Sequence, residues 1–192
     1  MKQAHVLLAA TLALLSTASA LGAGVALPGD TGRPGDGVMP AESTPRPPNP
    51  SPPKLPRAPA IDLALEAAQA IAKGCSQYRL GVAVVNSVGA PILVYIPDGS
   101  MTRHTFFAIR KAYSAVIFKV PTSQITPEAQ HPDSDVAAKI KADPNLVGYP
   151  GGLPLKVGDE VIGAIGISGA DPAPHNEECG RIGLEKIQSR LK

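Results

Sequence analysis

Residues 158–170 read GDEVIGAIGISGA, with four glycines, two alanines and a serine threaded through Val161, Ile162, Ile165 and Ile167. Side chains alternate between the two faces of a strand. The alternation predicts Val161, Gly163, Ile165 and Ile167 on one side and Ile162, Ala164, Gly166 and Ser168 on the other. The first face is ordinary core. The second is cleared so that a helix, another subunit or a ligand can lie close to the backbone, a recognised use of glycine in a strand. With LPLKV before it and Gly158-Asp159 as the turn, this strand is the second arm of a hairpin.

Working outward, LGVAVVNSVGAPILVYIPDG reads as a second hairpin, joined at Ser87 to Ala90 and closed by Pro97-Asp98-Gly99. Residues 61–78 read as a helix, with Ile61, Leu65, Ala68, Ala72 and Cys75 at three- and four-residue steps and Asp62 as the cap. TRHTFFAIRKAYSAVIFKV is a central helix ended by Pro121, HPDSDVAAKIKADPN holds a short helix, and a last helix runs from Asn176 to Leu191 with Glu177 and Glu178 in its first turn. The order α-β-β-α-α-β-β-α gives an α+β domain with an antiparallel sheet flanked by helices.

The chain has 192 residues and opens MKQAHVLLAATLALLSTASA, with a basic Lys2, an apolar run and Ala18-Ser19-Ala20. That is the three-part layout of a signal peptide over residues 1–20, cleaved after Ala20. The run is broken by Thr11, Ser16, Thr17 and Ser19, which suits a stable membrane span poorly. Residues 21–60 carry eleven of the twenty-one prolines. Proline fixes φ and removes a backbone donor, so this stretch reads as an extended linker, with a polyproline ligand as the alternative. The folded domain is then 61–192, and the expected location is outside the cytoplasm, periplasmic or extracellular. Without Lys2 the chain holds 17 basic and 16 acidic residues, a balance that gives no field for nucleic acid or an anionic membrane.

Cys75 and Cys179 lie on inward stripes of the first and last helices. In an exported domain they either pair across a loop of about a hundred residues or remain two buried thiols, and no CxxC or HxxxH spacing favours zinc.

On the central helix, Phe106, Ile109, Tyr113, Val116 and Ile117 form an apolar stripe, and Phe107, Ser114 and Phe118 add a second side. A helix apolar on two sides is covered on both, here by the sheet and by a neighbouring subunit. Between them His104, Ala108, Lys111 and Ala115 form a narrow strip, either the wall of an anion or cofactor cavity or a close-packing groove. There is no G-x-S-x-G, phosphate loop, dinucleotide fingerprint or CxxCH. His104, His131 and His175 are too scattered for a metal cluster; Tyr95, Tyr113, Tyr149 and Met101 are further axial-ligand candidates for a haem.

RKAYSAVIFKVPT (110–122) and PGGLPLKVGDEVIGAIGISGADPAPHNEECGRIGLEKI (150–187) resemble the GlcG/HbpS family of haem-binding or haem-degrading-like proteins. The likeness runs over residues 65–191. Lys111-Ala112, Pro121-Thr122, Gly151-Gly152-x-Pro154 and the strand glycines Gly163, Gly166 and Gly169 match the family pattern. The resemblance implies a profilin-like antiparallel sheet flanked by helices, a homo-oligomer and a bound small molecule, haem in some members. It makes His104 the candidate metal ligand, with Arg103 and Lys111 as basic partners for propionates and Gly151 and Gly152 beside the ligand's approach. In such a fold the first or last helix is expected on the cleared face of the 161–168 strand. Where relatives read Asp-Glu-x-Cys, this chain has Asn176-Glu177-Glu178-Cys179, so a neutral side chain replaces a carboxylate. An enzyme using Lys111 and Glu177 as acid and base is the alternative function, and an interaction module placed by its linker is a third.

Overall fold

The computed structural model describes residues 55–192; the expected signal peptide over 1–20 and most of the expected linker over 21–60 lie outside the described residues. In chain order the elements are α1 (Ile61–Gly74), β1 (Gly81–Asn86), β2 (Pro91–Tyr95), α2 (Thr102–Phe118), α3 (Thr122–Gln130), α4 (Asp135–Ala142), β3 (Gly152–Val157), β4 (Glu160–Ser168) and α5 (His175–Ile187), followed by a 3-10 turn at Gln188–Arg190. The strands form one antiparallel sheet in the order β2-β1-β4-β3. Both hairpins stand where their turn residues put them.

Helices cover both faces. Ala64, Ala67, Ala68 and Ile71 of α1 join Cys179 and Ile187 of α5 over Val82, Val84, Ile165 and Ile167. On the opposite face Ala112, Ala115 and Val116 of α2 meet Val85 and Ala164. The cleared face of β4 therefore receives α2, the central helix, rather than the first or last one. A Cβ on Gly166 would overlap the Ala108 carbonyl oxygen and sit 2.6 Å from the Ala112 nitrogen. Its sheet neighbour Gly152 faces the Lys111 carbonyl in the same way. Backbone lies on backbone, and a side chain at either position would lift the helix off the sheet.

The strand's alternation is broken once. Val161 pairs with Lys156 and Gly163 with Leu155, so Ile162 is an extra residue in β4. Such a bulge shifts the face by one position. Ile162 consequently joins Ile165 and Ile167 in the larger core, while Val161 packs with Ala164 under α2. Uninterrupted alternation puts Val161 and Ile162 on the wrong sides.

Three helices depart from their sequence reading. On α2 the strip His104, Ala108, Lys111 and Ala115 faces the sheet, and of the bulkier stripe only Val116 is buried with it, while Phe106 is 62% exposed and Ile117 44%. The small side chains win the inner face because they let the helix approach the sheet. On α1 the buried residues are Ala64, Ala67, Ala68 and Ile71, with Ile61 and Leu65 exposed, and the helix starts after Ala60 with Asp62 inside its first turn rather than capping it. Helix α3 has no counterpart in the sequence reading, because Pro127 lies within it. Cys75 and Cys179 form a disulfide linking the end of α1 to α5, with Cα atoms 5.9 Å apart.

The ordered contacts reach back beyond Ile61. Pro59 is buried, the Arg57 carbonyl accepts from the Ser87 N–H at 2.8 Å, and the Arg57 side chain pairs with Glu160. Among the described residues no helix is long and apolar enough to cross a membrane.

Candidate functional site

A pocket of about 760 Å³ opens where the N-terminal half of α2 leaves the sheet, beside the end of β4. Its walls include Arg103, His104, Phe107 and Lys111 from α2 and Ser168 and Asn176 from across the sheet. The pocket follows from the strip on α2. Ala108, packed on Gly166, brings the helix close to the sheet, and the longer His104 and Lys111 on either side of it reach the pocket.

His104 is 8% exposed, and its Nδ1 lies 2.5 Å from the Arg79 carbonyl oxygen. A carbonyl only accepts, so Nδ1 carries the proton and Nε2 presents a lone pair. Arg103 Nε donates to that lone pair in a long bond of 3.4 Å. Fixing one ring nitrogen on a backbone carbonyl orients the other, the arrangement used to hold metal-binding imidazoles. Gly169 makes room for the ring: it has φ +119, and a Cβ there would sit 2.7 Å from Nδ1.

Lys111 is 4% exposed and donates from Nζ to the Ile167 carbonyl at 3.1 Å. No carboxylate lies within salt-bridge distance of it among the described residues. Burial lowers its pKa to about 8, and the more distant Glu177 charge offsets part of that effect. An ammonium held this way gains from an anion brought into the pocket.

Glu177 is committed elsewhere. Its Oε1 accepts from the Ser123 N–H and its Oε2 from the Ser123 hydroxyl, both at 2.7 Å, with Arg181 at 3.7 Å. The carboxylate thus caps the start of α3, which has no cap of its own. Gly151 and Gly152 sit behind the pocket wall rather than in it. A Cβ on Gly151 would lie 3.0 Å from Lys111 Cδ, and the Gly152 N–H donates to Thr122 Oγ1 at 2.8 Å.

Of the other axial candidates, Met101 and Tyr149 line the pocket, whereas Tyr113 donates to Asp143 at 3.1 Å and Tyr95 belongs to β2. His131 is exposed at the end of α3, and His175 meets the Tyr78 hydroxyl at 2.8 Å. No cluster of three metal-binding side chains exists among the described residues.

Several lining residues carry no signal for this site in the sequence, Arg79 and Asn176 among them. Arg79 arrives from the turn before β1, where nothing local marks it. In the sequence Asn176 stands out only as a neutral residue at the helix start. Its Oδ1 accepts from the Ala170 N–H at 3.0 Å, while Nδ2 donates to the Ala170 and Ala173 carbonyls at 3.1 and 2.8 Å. A carboxylate cannot make the two donations. The amide therefore staples the loop that forms the pocket's rim.

The chain resembles known proteins over this same region. Residues 58–185 match the family described as haem degrading protein HbpS-like. A 15.0 kDa protein from the dhaT-dhaS intergenic region of Citrobacter freundii is 30% identical over 113 residues, covering 57% of this chain and 80% of the relative. The crystal structure of Klebsiella pneumoniae ORFY superposes with a TM-score of 0.65 at 23% identity, covering 74% of this chain and 98% of that one. A complex of PduOC with haem superposes at 0.63 and 19% identity, covering 70% and 97%. The matched span contains the whole sheet, the first four helices, all but the last two residues of α5 and every residue described above as lining the pocket, and on that footing the chain belongs to the HbpS-like family.

Proposed function

We propose that this protein binds haem or a related tetrapyrrole in the pocket between α2 and the end of β4. The single observation that carries the reading is His104: its Nδ1 is tied to the Arg79 carbonyl, and its Nε2, at the pocket wall, accepts only a long bond from Arg103 Nε, which would swing away to a propionate as iron takes the lone pair. The pocket fits the group in size and in chemistry. Cavities of about 300–1,000 Å³ hold ligands of this class, apolar walls come from Phe107, Met101 and Tyr149, and Arg79, Arg103 and Lys111 supply positive charge for propionates. Bound there, haem would supply redox-active iron. The protein's own part is to ligate through His104, neutralise carboxylates through the basic residues and shield one face with Phe107. The family description and the haem complex of PduOC support the same choice of ligand.

The biological role that accompanies this reading is sensing, storage or protection by an exported homo-oligomer. The disulfide supports export, because such links persist in oxidising compartments. The apolar outer face of α2, with Phe106 and Ile117 exposed, supports self-association. Sedimentation of the wild type and of Phe106→Glu tests the latter: an oligomer that dissociates in the variant is expected, and a monomeric wild type overturns it.

Titration with haemin tests the ligand. A saturable Soret shift is expected in the wild type, and His104→Ala is expected to change its position. An unshifted Soret band in the wild type overturns the reading, and an identical band in the variant removes His104 from it. The enzyme alternative is favoured by one observation, the lowered pKa of Lys111. Glu177, its proposed partner, is already bonded through both oxygens to Ser123. That reading then needs Lys111 alone as the acid–base group, and turnover that survives Lys111→Met would end it.

A further inference from the structure

Lys111 is the one lysine on the wall of the pocket between α2 and the end of β4. Every other lysine among the described residues, from Lys73 to Lys192, is exposed. Lys111 differs because its helix is pressed onto the sheet, with Ala108 on Gly166 and its own carbonyl over Gly152. The side chain runs along the sheet: Cδ passes beside Gly151, and Nζ stops 3.1 Å from the Ile167 carbonyl. The residues that follow this acceptor, Ser168, Gly169 and Ala170, line the pocket together with Lys111 and Asn176. The amine end is thus part of the pocket wall.

An ammonium has three N–H donors. Ile167 accepts from one, and no carboxylate among the described residues lies within salt-bridge distance. Burial brings the pKa down to about 8 against the opposing pull of the Glu177 charge. At pH 8 about half of Lys111 is then free amine, against less than about 1% for an exposed lysine. A desolvated lysine amine in a pocket is a nucleophile for carbonyl carbon. The same wall selects by charge. Among the described residues Arg79 and Arg103 have no ion-pair partner, and their side chains make long bonds of 3.4 Å to the Asp98 carbonyl and to His104 Nε2. Asp171, the one acid lining the pocket, is exposed.

We propose that Lys111 is a covalent capture site for small aldehydes that carry a carboxylate, held reversibly as an imine with the carboxylate drawn to Arg79 and Arg103. The ammonium first gives a proton to water. The Nζ lone pair then forms a C–N bond to the carbonyl carbon, and the carbonyl π pair moves to oxygen, which takes up a proton. The hydroxyl of this carbinolamine leaves as water with a second proton, and the nitrogen lone pair closes the C=N bond. Overall an ammonium and an aldehyde give a protonated imine and water, and nothing is oxidised or reduced. The imine nitrogen keeps one N–H, enough to retain the bond to the Ile167 carbonyl. An aldehyde suits the site better than a ketone, because Lys111 is 4% exposed and an aldehyde carbon brings one substituent instead of two. The inference does not rest on the tetrapyrrole reading: the reaction belongs to the haem-free protein.

The test treats the purified, haem-free protein at pH 8 with 4-carboxybenzaldehyde and sodium cyanoborohydride, which reduces an imine to a stable secondary amine. Peptide mapping then locates the label. Lys111 is expected to be modified at least roughly tenfold faster than any other lysine, with a rate that saturates in aldehyde. Methyl 4-formylbenzoate keeps the aldehyde and loses the charge, and is expected to need roughly tenfold more for half-saturation, as loss of a charged hydrogen bond implies. Lys111→Met is expected to remove the site-specific label, and Arg103→Gln to narrow the gap between acid and ester. Should Lys111→Met fold poorly, the wild-type map decides alone, because its exposed lysines are the internal comparison. Label spread over exposed lysines without enrichment at Lys111, a rate at Lys111 that does not saturate, or equal half-saturation by acid and ester would each overturn the proposal. Haemin titrated separately keeps the two readings apart, since a missing Soret shift leaves the label in place and a missing label leaves the Soret shift.

Discussion

The ammonium of Lys111 is held by the carbonyl oxygen of Ile167, 3.1 Å away, and by no carboxylate among the described residues. A charge buried to 4% exposure with one neutral acceptor is destabilising while it remains charged. Its pKa falls from 10.5 to about 8, chiefly through loss of solvation. Below pH 8 both folded and unfolded chains carry the proton. Between pH 8 and 10.5 the folded protein has released it and the unfolded chain has not, so stability rises with pH across that window. The gap amounts to about 3 kcal/mol at the limit, at about 1.4 kcal/mol per pH unit. Tyr113 acts in the other direction from about pH 10, since its hydrogen bond to Asp143 raises its pKa. Urea unfolding between pH 7 and 10 should therefore show a gain in the wild type and little or none in Lys111→Met. Parallel profiles for the two proteins would refute the assignment.

Gly166 sets the distance between α2 and the sheet. Any Cβ there meets the Ala108 carbonyl and the Ala112 nitrogen, and both belong to helix backbone that cannot rotate away. Gly166→Ala is expected to destabilise by at least about 3 kcal/mol, the range of severe overpacking. The same change displaces Lys111 and His104, so haemin affinity should fall with stability. Gly158→Ala supplies the comparison: nothing lies within 4 Å of its Cβ position, but φ is +59, so only a modest backbone penalty is expected. Thermal melts of the two variants check the contrast.

Those two glycines also mark what a sequence can and cannot disclose. The hairpin turn at Gly158-Asp159 is written locally, and so are the two strands it joins. That the 161–168 strand has one cleared face is equally legible. Which helix fills it is not, because Ala108, Ala112 and Ala115 look like a minor strip between two greasier ones. The bulge at Ile162 is invisible for a different reason: it exists only in the pairing of β4 with β3. The site divides similarly. His104 and Lys111 could be singled out from their spacing and from family resemblance. Arg79 and the stapling amide of Asn176 depend on contacts made across the fold.

Helix α3 illustrates a third kind of dependence, and it is testable. Pro121 stands at its N-cap without a side chain able to accept, and Pro127 interrupts its interior. The missing acceptor comes from Glu177, fifty-four residues away, through two hydrogen bonds of 2.7 Å to Ser123. Glu177→Ala is expected to lose about 1–3 kcal/mol, the combined value of a cap and a charge-assisted bond. The loss should be local first: hydrogen exchange should accelerate at Ser123–Thr126 more than in β1 or β4. Glu177→Gln retains one acceptor and should lie between the two. Uniform acceleration across the sheet would place Glu177 in the global core instead.

The Cys75–Cys179 disulfide joins residues separated by 104 positions, and the two cysteines lie in the core cluster shared by α1 and α5. Closing a loop of that length stabilises by about 4–5 kcal/mol in the chain-entropy model. Reduction leaves the same side chains in the same core, so it isolates the cross-link from the packing that a Cys→Ala change would also remove. Reduced protein should melt about 10–20 °C lower than oxidised protein, given the usual few degrees per kcal/mol for a domain of this size. Below the reduced transition, haemin affinity should change little. The link lies on the sheet face opposite α2, and the Asn176 bonds to Ala170 and Ala173 hold the pocket's rim without it. A melting temperature indifferent to reductant would show that the unfolded chain is already constrained in some other way. Haemin binding lost at a temperature where the reduced fold persists would instead make the bridge part of the pocket's own scaffold.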